Sequence, residues 1–384
     1  MNHNSLHLCI IWKNSLSFKD KILQKIDQDF EFKKEIILNW DDKYFLENLQ
    51  RFYGATLPDP EKKIETCGKG EFSVIIFNDI SPKFEKRKTS KGSEIVNCNV
   101  YDFKFEFRKE IGKEFAIHAS NNERETEHDL ALLFGKNLID FSKSYLKNNN
   151  LEKITRNISG HDGWNSVQEL FYVLNSTTNY VILRNFENLE NEIISDIHND
   201  IDIMTDDLWQ ISYIVNKKIY REYGKHQHLV KIDEKYIKID FKQLGDNYYD
   251  KKWENQILKK KIIFKNLFFV PDKINYFYTL LYHAIEHKNK ISEDYKNKLK
   301  VLSGKIGLEL DVNDNQLMKQ LLVEFLKKNE YKITNTKKFK IIHNMKMRVI
   351  FLGLEILRKN GIPGLTTAIR HKMYRRRLIK SGRI

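Results

Sequence analysis

Two acids two residues apart, Asp200 and Asp202, lie in the alternating stretch NDIDIMT. In an extended strand residues two apart share a face, so both carboxylates project together while Ile201 and Ile203 turn to the core. Parallel carboxylates repel unless a cation lies between them. Oxygen donors of this kind suit Mg²⁺ or Mn²⁺, which take a few protein carboxylates and fill the shell with phosphate oxygens and water. A third carboxylate, Asp240, comes from the later run YIKIDF, where Tyr236, Lys238 and Asp240 share one face and Ile237, Ile239 and Phe241 the other. Two more acids, Asp206 and Asp207, follow the first pair. The chemistry predicted is metal-assisted work on phosphate: Asp200, Asp202 and Asp240 hold the ion, and Asp240 also accepts the proton of an attacking hydroxyl. Arg184, at the end of YVILR, has the planar fork to grip a phosphate or to pair with a neighbouring aspartate. Asp246 and Tyr248, in GDNYYDKKW, read as a substrate-facing loop or a polar turn. HAIEH has the spacing of a zinc motif, His283 and His287 one turn apart, but lacks a third-ligand segment. The stretch reads better as a helix packed beside the carboxylates, with His283 or His287 near the substrate.

The elements that must position these groups are mixed. WNSVQELFYVLNST has helical periodicity, YVILRNF and NDIDIMT read as strands, DDLWQISYIVNKKI as a helix, and HQHLVKI and KYIKIDF as two more strands. Upstream, LHLCIIW, FEFKKEIILNW, GEFSVIIFND and EFAIHAS read as strands. FKDKILQKIDQDF, DDKYFLENLQRFYG and ERETEHDLALLFG read as helices, with a long loop around Gly92. The expected fold class is α/β (α+β) throughout. Its parts are an α/β domain over 1–140 with the strand–helix order of a ferredoxin-like sandwich, an Asn-rich linker over 141–160, a mixed-sheet core over 161–255, a helical region over 256–363 and a basic tail over 364–384.

The order YVILRNFENL, DIDI, YIKID resembles the nucleotidyltransferase superfamily, the fold of the polymerase-beta-like enzymes. Over roughly residues 160–300 the chain looks like the nucleotidyltransferase-like proteins of polysaccharide gene clusters, and it is similar in plan to LicD-type phosphotransferases. The resemblance implies a Mg²⁺- or Mn²⁺-dependent transferase in cell-surface glycan biosynthesis. Its donor would be a nucleotide or phosphate-linked compound and its acceptor a glycan or lipid-linked precursor. Where that family carries glycines after its first strand, this chain reads Arg184-Asn185-Phe186-Glu187.

Residues 6–137 resemble nucleoside diphosphate kinase. CIIWKNS stands where that family's first strand ends in lysine, and IHASNNERETEHDLALLF where its phosphohistidine segment lies. The resemblance implies that His118 is a transiently phosphorylated histidine, Asp129 the acid that orients it, Ser120 the accompanying hydroxyl and Lys13 a phosphate contact. A second, kinase-like activity is thereby implied. The family's asparagine before the histidine is Phe115 here, and its following glycine is Ala119.

The chain has 384 residues, with 31% charged and 41% hydrophobic, long enough for two or three domains. It holds no apolar run long enough to span a membrane and no leader-like start. Three scattered cysteines, Cys9, Cys67 and Cys98, fit a reducing cytoplasm better than a disulfide framework. A net charge of +14 favours anionic partners. The C-terminal run RHKMYRRRLIKSGRI carries no acid. Its basic residues, with Ile369, Met373 and Leu378 near helical spacing, predict docking at the inner face of an anionic membrane. The alternative for the whole chain is a nucleic-acid-binding or RNA-modifying, toxin-like nucleotidyltransferase.

Overall fold

In the computed structural model the described residues are 5–54, 57, 59–90, 92–147, 150–189, 200–222, 225–288 and 291–334. The predicted tail, 364–384, and residues 335–363 of the predicted helical region lie outside them. The chain is mixed α/β and divides into two compact units, with the boundary between Asp162 and Gly163. Among the described residues no helix is long and apolar enough to cross a membrane.

The first unit is built on a five-stranded sheet. In chain order its elements are β1 (Ser5–Ile11), a 3₁₀ turn (Lys13–Phe18), α1 (Lys19–Asp29), β2 (Glu31–Asn39), α2 (Phe45–Tyr53), α3 (Pro60–Cys67), β3 (Phe72–Asp79), β4 (Phe84–Thr89), β5 (Gly92–Asn97), α4 (Cys98–Ile111), β6 (Ile117–Ala119), α5 (Glu123–Phe134), α6 (Leu138–Tyr145) and β7 (Glu152–Thr155). The sheet order is β6-β1-β3-β2-β7, with every neighbouring pair antiparallel except β2 and β7. Alternation along the strands sends Cys9, Ile11, Ile75, Phe77 and Ile117 to one face, where α1 and α4 cover them with Ile22, Ile26, Val100, Phe103 and Phe107. The other face is equally apolar. Trp12, Trp40, Phe45 and Phe72 pack there with ring centroids 4.8–6.3 Å apart.

Two expectations change here. The expected linker at 141–160 contains the end of α6 and all of β7, and β7 pairs with β2 from Ile36↔Glu152 to Asn39↔Thr155. Its side chains are only half-buried or exposed, so no apolar alternation marked it out among the asparagines. The loop expected around Gly92 is a two-stranded hairpin, β4 with β5, followed by α4. Four of the five exposed residues of β4, Glu85, Lys86, Arg87 and Lys88, are charged, and Phe84 is the apolar exception.

The second unit contains α7 (Val167–Thr177), β8 (Tyr180–Ile182), β9 (Ile201–Thr205), α8 (Leu208–Ile214), β10 (Lys218–Glu222), β11 (Lys225–Ile232), β12 (Lys235–Gln243), α9 (Lys251–Lys259), β13 (Ile262–Phe264), β14 (Phe268–Val270), α10 (Lys273–Tyr282), a π-helical turn (His283–His287), α11 (Glu293–Lys305) and α12 (Asn315–Lys328). Its main sheet runs β10-β11-β12-β9-β8, and β9–β12 is the parallel pair. The region expected to be helical, 256–363, thus opens on the end of α9 and then holds a β13–β14 hairpin. Several helix starts follow from side-chain capping. Ser166 accepts from the Glu169 amide, Asp207 from Gln210 and Asp272 from Ile274 and Asn275, each cap contributing about 1 kcal/mol. Asp207 therefore has a structural role, and Asp206 accepts from the Asn179 side chain at 2.8 Å.

Candidate functional site

The acids singled out from the sequence meet on one sheet. Asp240 on β12 is the direct partner of Asp202 on β9 in the parallel register, and Asp200 lies just ahead of β9. All three line a cleft of about 930 Å³ in the second unit, together with Arg184, Asn185, His283 and Tyr295. Part of its lining comes from α11 and the residues before it, which bring Lys288, Lys298, Val301 and Lys305. The cleft therefore has the three aspartates on the sheet side and lysines on this helical side, where Asp294 also lines it and pairs with Lys298 at 3.2 Å.

Arg184 reaches the acids because β8 runs antiparallel to β9, with the Leu183 amide donating to the Asp202 carbonyl at 2.9 Å. Its Nη2 lies 2.8 Å from Asp202 Oδ1, and its Nη1 donates to the Tyr248 hydroxyl at 2.8 Å. Both members of this ion pair are buried, Arg184 at 8% and Asp202 at 4% exposure. Of the two roles weighed for Arg184, which can coexist, the ion pair with an aspartate is present, and Arg184 also lines the cleft.

Tyr248 continues the chain of contacts: its hydroxyl is 3.0 Å from His283 Nδ1, which is 3.1 Å from His287 Nδ1. Tyr295 stacks on the His283 ring. Burial, reinforced by the Arg184 charge, pulls His283 down to about 2 and His287 down to about 4, so both rings are neutral at pH 7. Asp246 supports the loop: its carboxylate accepts from the Gln243 and Tyr248 amides.

Glu254 and Lys242 were not singled out from the sequence. Glu254, on α9, is fully buried and accepts from the Gly245 amide at 2.6 Å and the Tyr249 amide at 3.0 Å, pinning the loop that carries Tyr248. Lys242 shares its strand face with Asp240, and its Nζ lies 2.6 Å from Asp240 Oδ2. Strand alternation carries the signal for Lys242, whereas Glu254 has none in its local sequence.

The donor chemistry of the three aspartates fits a hard divalent cation. Their placement is that of three ion pairs: Asp202 with Arg184, Asp240 with Lys242, and Asp200 with Lys238 at 3.5 Å. Among the described residues no group of three or more His, Cys, Asp or Glu side chains is set to hold a metal ion. Burial pushes the Asp202 carboxyl up, Arg184 and Lys242 oppose the shift, and Asp200 and Asp240 add to it. The acids are thus close enough to feel one another, and the fold answers their charge with its own cations.

In the first unit, His118 Nε2 lies 2.7 Å from Asp129 Oδ2, and His128 Nδ1 is 3.0 Å from the other oxygen of that carboxylate. The His118 ring is 7% exposed, packed edge-on against Phe52 and Tyr53. Burial lowers its pKa although Asp129 raises it. Ser120 is buried, bonded to His7 and Thr126, while Lys13 is exposed on the 3₁₀ turn. Compared with protein-family models, curated proteins and solved structures, the chain has no match.

Proposed function

We propose that the second unit is a phosphate-directed transferase of the nucleotidyltransferase type, moving a nucleotidyl or phosphate-linked group onto a hydroxyl of a glycan or lipid-linked precursor. The observation that carries this reading is the in-register pair Asp202–Asp240 beside Arg184 in a cleft with lysines on its other side. The order helix, strand, strand, helix, strand, with acids on the second and third strands of the set α7-β8-β9-α8-β12, supports it further. The divalent ion that this reading implies would be held by Asp200, Asp202 and Asp240 only once they part from Lys238, Arg184 and Lys242, and would supply charge neutralisation for the phosphate oxygens. Arg184, fixed by Asp202 and Tyr248, presents a preorganised cation to a phosphate. Asp240, with a side chain 44% exposed, is the carboxylate open to an acceptor hydroxyl and takes its proton. Neutral His283 and Tyr295 form the apolar and hydrogen-bonding wall for the leaving portion. Incubating the protein with labelled nucleotides and nucleotide-sugars, Mg²⁺ or Mn²⁺ and a panel of glycan acceptors tests the proposal. Asp240→Asn should keep donor binding and lower turnover by about 10²-fold or more. Equal turnover by the variant would reject the role given to Asp240.

For the first unit, the antiparallel order β6-β1-β3-β2 supports a ferredoxin-like reading and, with the His118–Asp129 hydrogen bond, a nucleoside-diphosphate-kinase-like one. Such an activity would place an acid-labile phosphate on His118 when labelled ATP is added. Absence of label under conditions that mark an authentic kinase leaves this unit as a scaffold.

A further inference from the structure

Three polar contacts in series lead from Arg184 to His287, and the protons along them can be counted. Arg184 Nη1 lies 2.8 Å from the Tyr248 hydroxyl, that hydroxyl 3.0 Å from His283 Nδ1, and His283 Nδ1 3.1 Å from His287 Nδ1. A guanidinium only donates, so the Tyr248 oxygen accepts from Arg184. The Tyr248 proton then needs an acceptor, and among the described residues the remaining neighbour of its hydroxyl is His283 Nδ1. A neutral imidazole accepts at one nitrogen and donates at the other. A proton on His283 Nδ1 would leave the Tyr248 proton with nowhere to go. It would also force His287 either to face it with a second proton or to carry its own on Nε2, which is buried with no partner among the described residues. With His283 Nδ1 bare, the Tyr248 hydroxyl and His287 Nδ1–H both aim at its lone pair, and only a lone pair on His287 Nε2 goes unmet. The His283 proton therefore sits on Nε2. His283 and Arg184 line the cleft, whereas Tyr248 and His287 do not. The His283 ring is held by Tyr295, stacked on it with centroids 5.8 Å apart, and by His287, edge-on at 5.2 Å. It opens a π-helical turn, a form frequent at functional sites.

We propose that His283 is a fixed-tautomer hydrogen-bond donor of the cleft, its Nε2 proton set by Arg184 and Tyr248 and offered to a phosphate oxygen of the substrate. This rests on the transferase reading for the identity of the ligand. It deepens that reading by naming the group that the His283 wall receives: an anion with accepting oxygens, since an N–H has nothing to offer an ammonium group. No cation at the aspartates enters the assignment. A neutral donor aimed in advance at an oxygen that gains charge favours the transition state over the ground state and needs no reorganisation as the reaction proceeds. Tyr248 and Arg184 act through the imidazole and are positioning residues.

The test is nitrogen NMR of the full-length protein carrying isotope-labelled histidine at neutral pH, with His283→Gln identifying the signal and inorganic pyrophosphate as the probe. The expected His283 signal is that of a neutral ring with bare Nδ1 and protonated Nε2. Tyr248→Phe should move the Nδ1 resonance, because its lone pair loses a donor, and pyrophosphate should move the Nε2 proton. A glutamine amide can stand in for Nε2–H, so His283→Gln should bind pyrophosphate nearly as wild type does, whereas His283→Phe should lose about tenfold or more in affinity. A proton on Nδ1, a mixture of tautomers or a charged ring overturns the proposal even where the enzyme turns over, and the transferase reading then stands without it. An Nε2 proton that pyrophosphate leaves unmoved overturns it too, as does equal affinity in the glutamine and phenylalanine variants, which would show that the ring only packs. If tautomer and pyrophosphate response are as expected but no donor and acceptor react, the transferase reading fails and His283 remains a phosphate donor contact.

Discussion

Arg184 and Asp202 place opposite charges where water scarcely reaches them, so neither can be lost alone without penalty. Removing one member of a buried pair strands the other and costs about 3–5 kcal/mol, whereas removing both for apolar groups is far cheaper. Arg184→Met should therefore lower stability by about that amount in urea unfolding, and Arg184→Met with Asp202→Leu should recover most of the loss. Recovery of nothing would mean that Tyr248 rather than Asp202 is the main partner of Arg184. At this scale the sequence was readable where alternation applies. Asp200, Asp202 and Asp240 emerged from period-two patterns, and Arg184 was anticipated either as a phosphate grip or as the partner of an aspartate. Tyr248 was legible as a candidate, but its bridge from Arg184 to His283 depends on a loop path that no local pattern encodes.

The loop between β12 and α9 shows how an element is held by a single buried carboxylate. Burial pushes Glu254 up to about 7, the Gly245 and Tyr249 amides pull it back, and Asp246 and Asp250 push it up again. A carboxyl whose folded pKa lies above its unfolded value near 4.5 gives its full stabilisation below that value and loses it as pH rises through 7. Glu254→Gln imitates the protonated form. Its stability relative to wild type should therefore climb between pH 4.5 and 7, by roughly 3 kcal/mol at about 1.4 kcal/mol per pKa unit, and level off above. Chemical denaturation across that range measures it, and a flat difference would show that Glu254 stays ionised throughout. Elements were legible to differing depths. The strands β1 and β3 carry continuous apolar runs, β2 and β12 alternate, and the helices α1, α5 and α7 stand where the sequence placed helices. The strand β7 and the β4–β5 hairpin are short, polar and exposed, so their pairing partners, not their own composition, define them. Helix α2 ends at Tyr53 with Gly54 as its C-terminal cap, and the Asp41 carboxylate accepts from the Lys43 amide in the turn before it.

For the whole molecule the dominant fact is the +14 charge, concentrated further in the acid-free C-terminal run. With each basic residue near an anionic bilayer contributing about 1 kcal/mol before screening, residues 364–384 are predicted to hold the protein on such a surface. A chain ending at residue 363 should fail to sediment with anionic liposomes at physiological salt, yet turn over a soluble acceptor as the full chain does. Co-sedimentation of the truncated chain, or failure of the full chain to bind, would assign the run another partner; salt-sensitive RNA retention would point to nucleic acid.

The parallel pairing of β9 with β12 has a consequence for how the chain reaches its native state. Parallel neighbours cannot be joined by a tight turn, and here α8 and the β10–β11 hairpin intervene between them. Local helices and the hairpin can form early at little entropic cost, whereas bringing Asp202 opposite Asp240 requires closure of the whole intervening segment. The carboxylate cluster is therefore assembled by a non-local contact, although others in the unit, such as Asn175 with Leu267 and Lys298 with Asn185, span more of the chain. During refolding, the capacity to bind a ligand at these acids should lag behind the recovery of helical signal, so that ligand binding reports the closing of the sheet and not the winding of the helices.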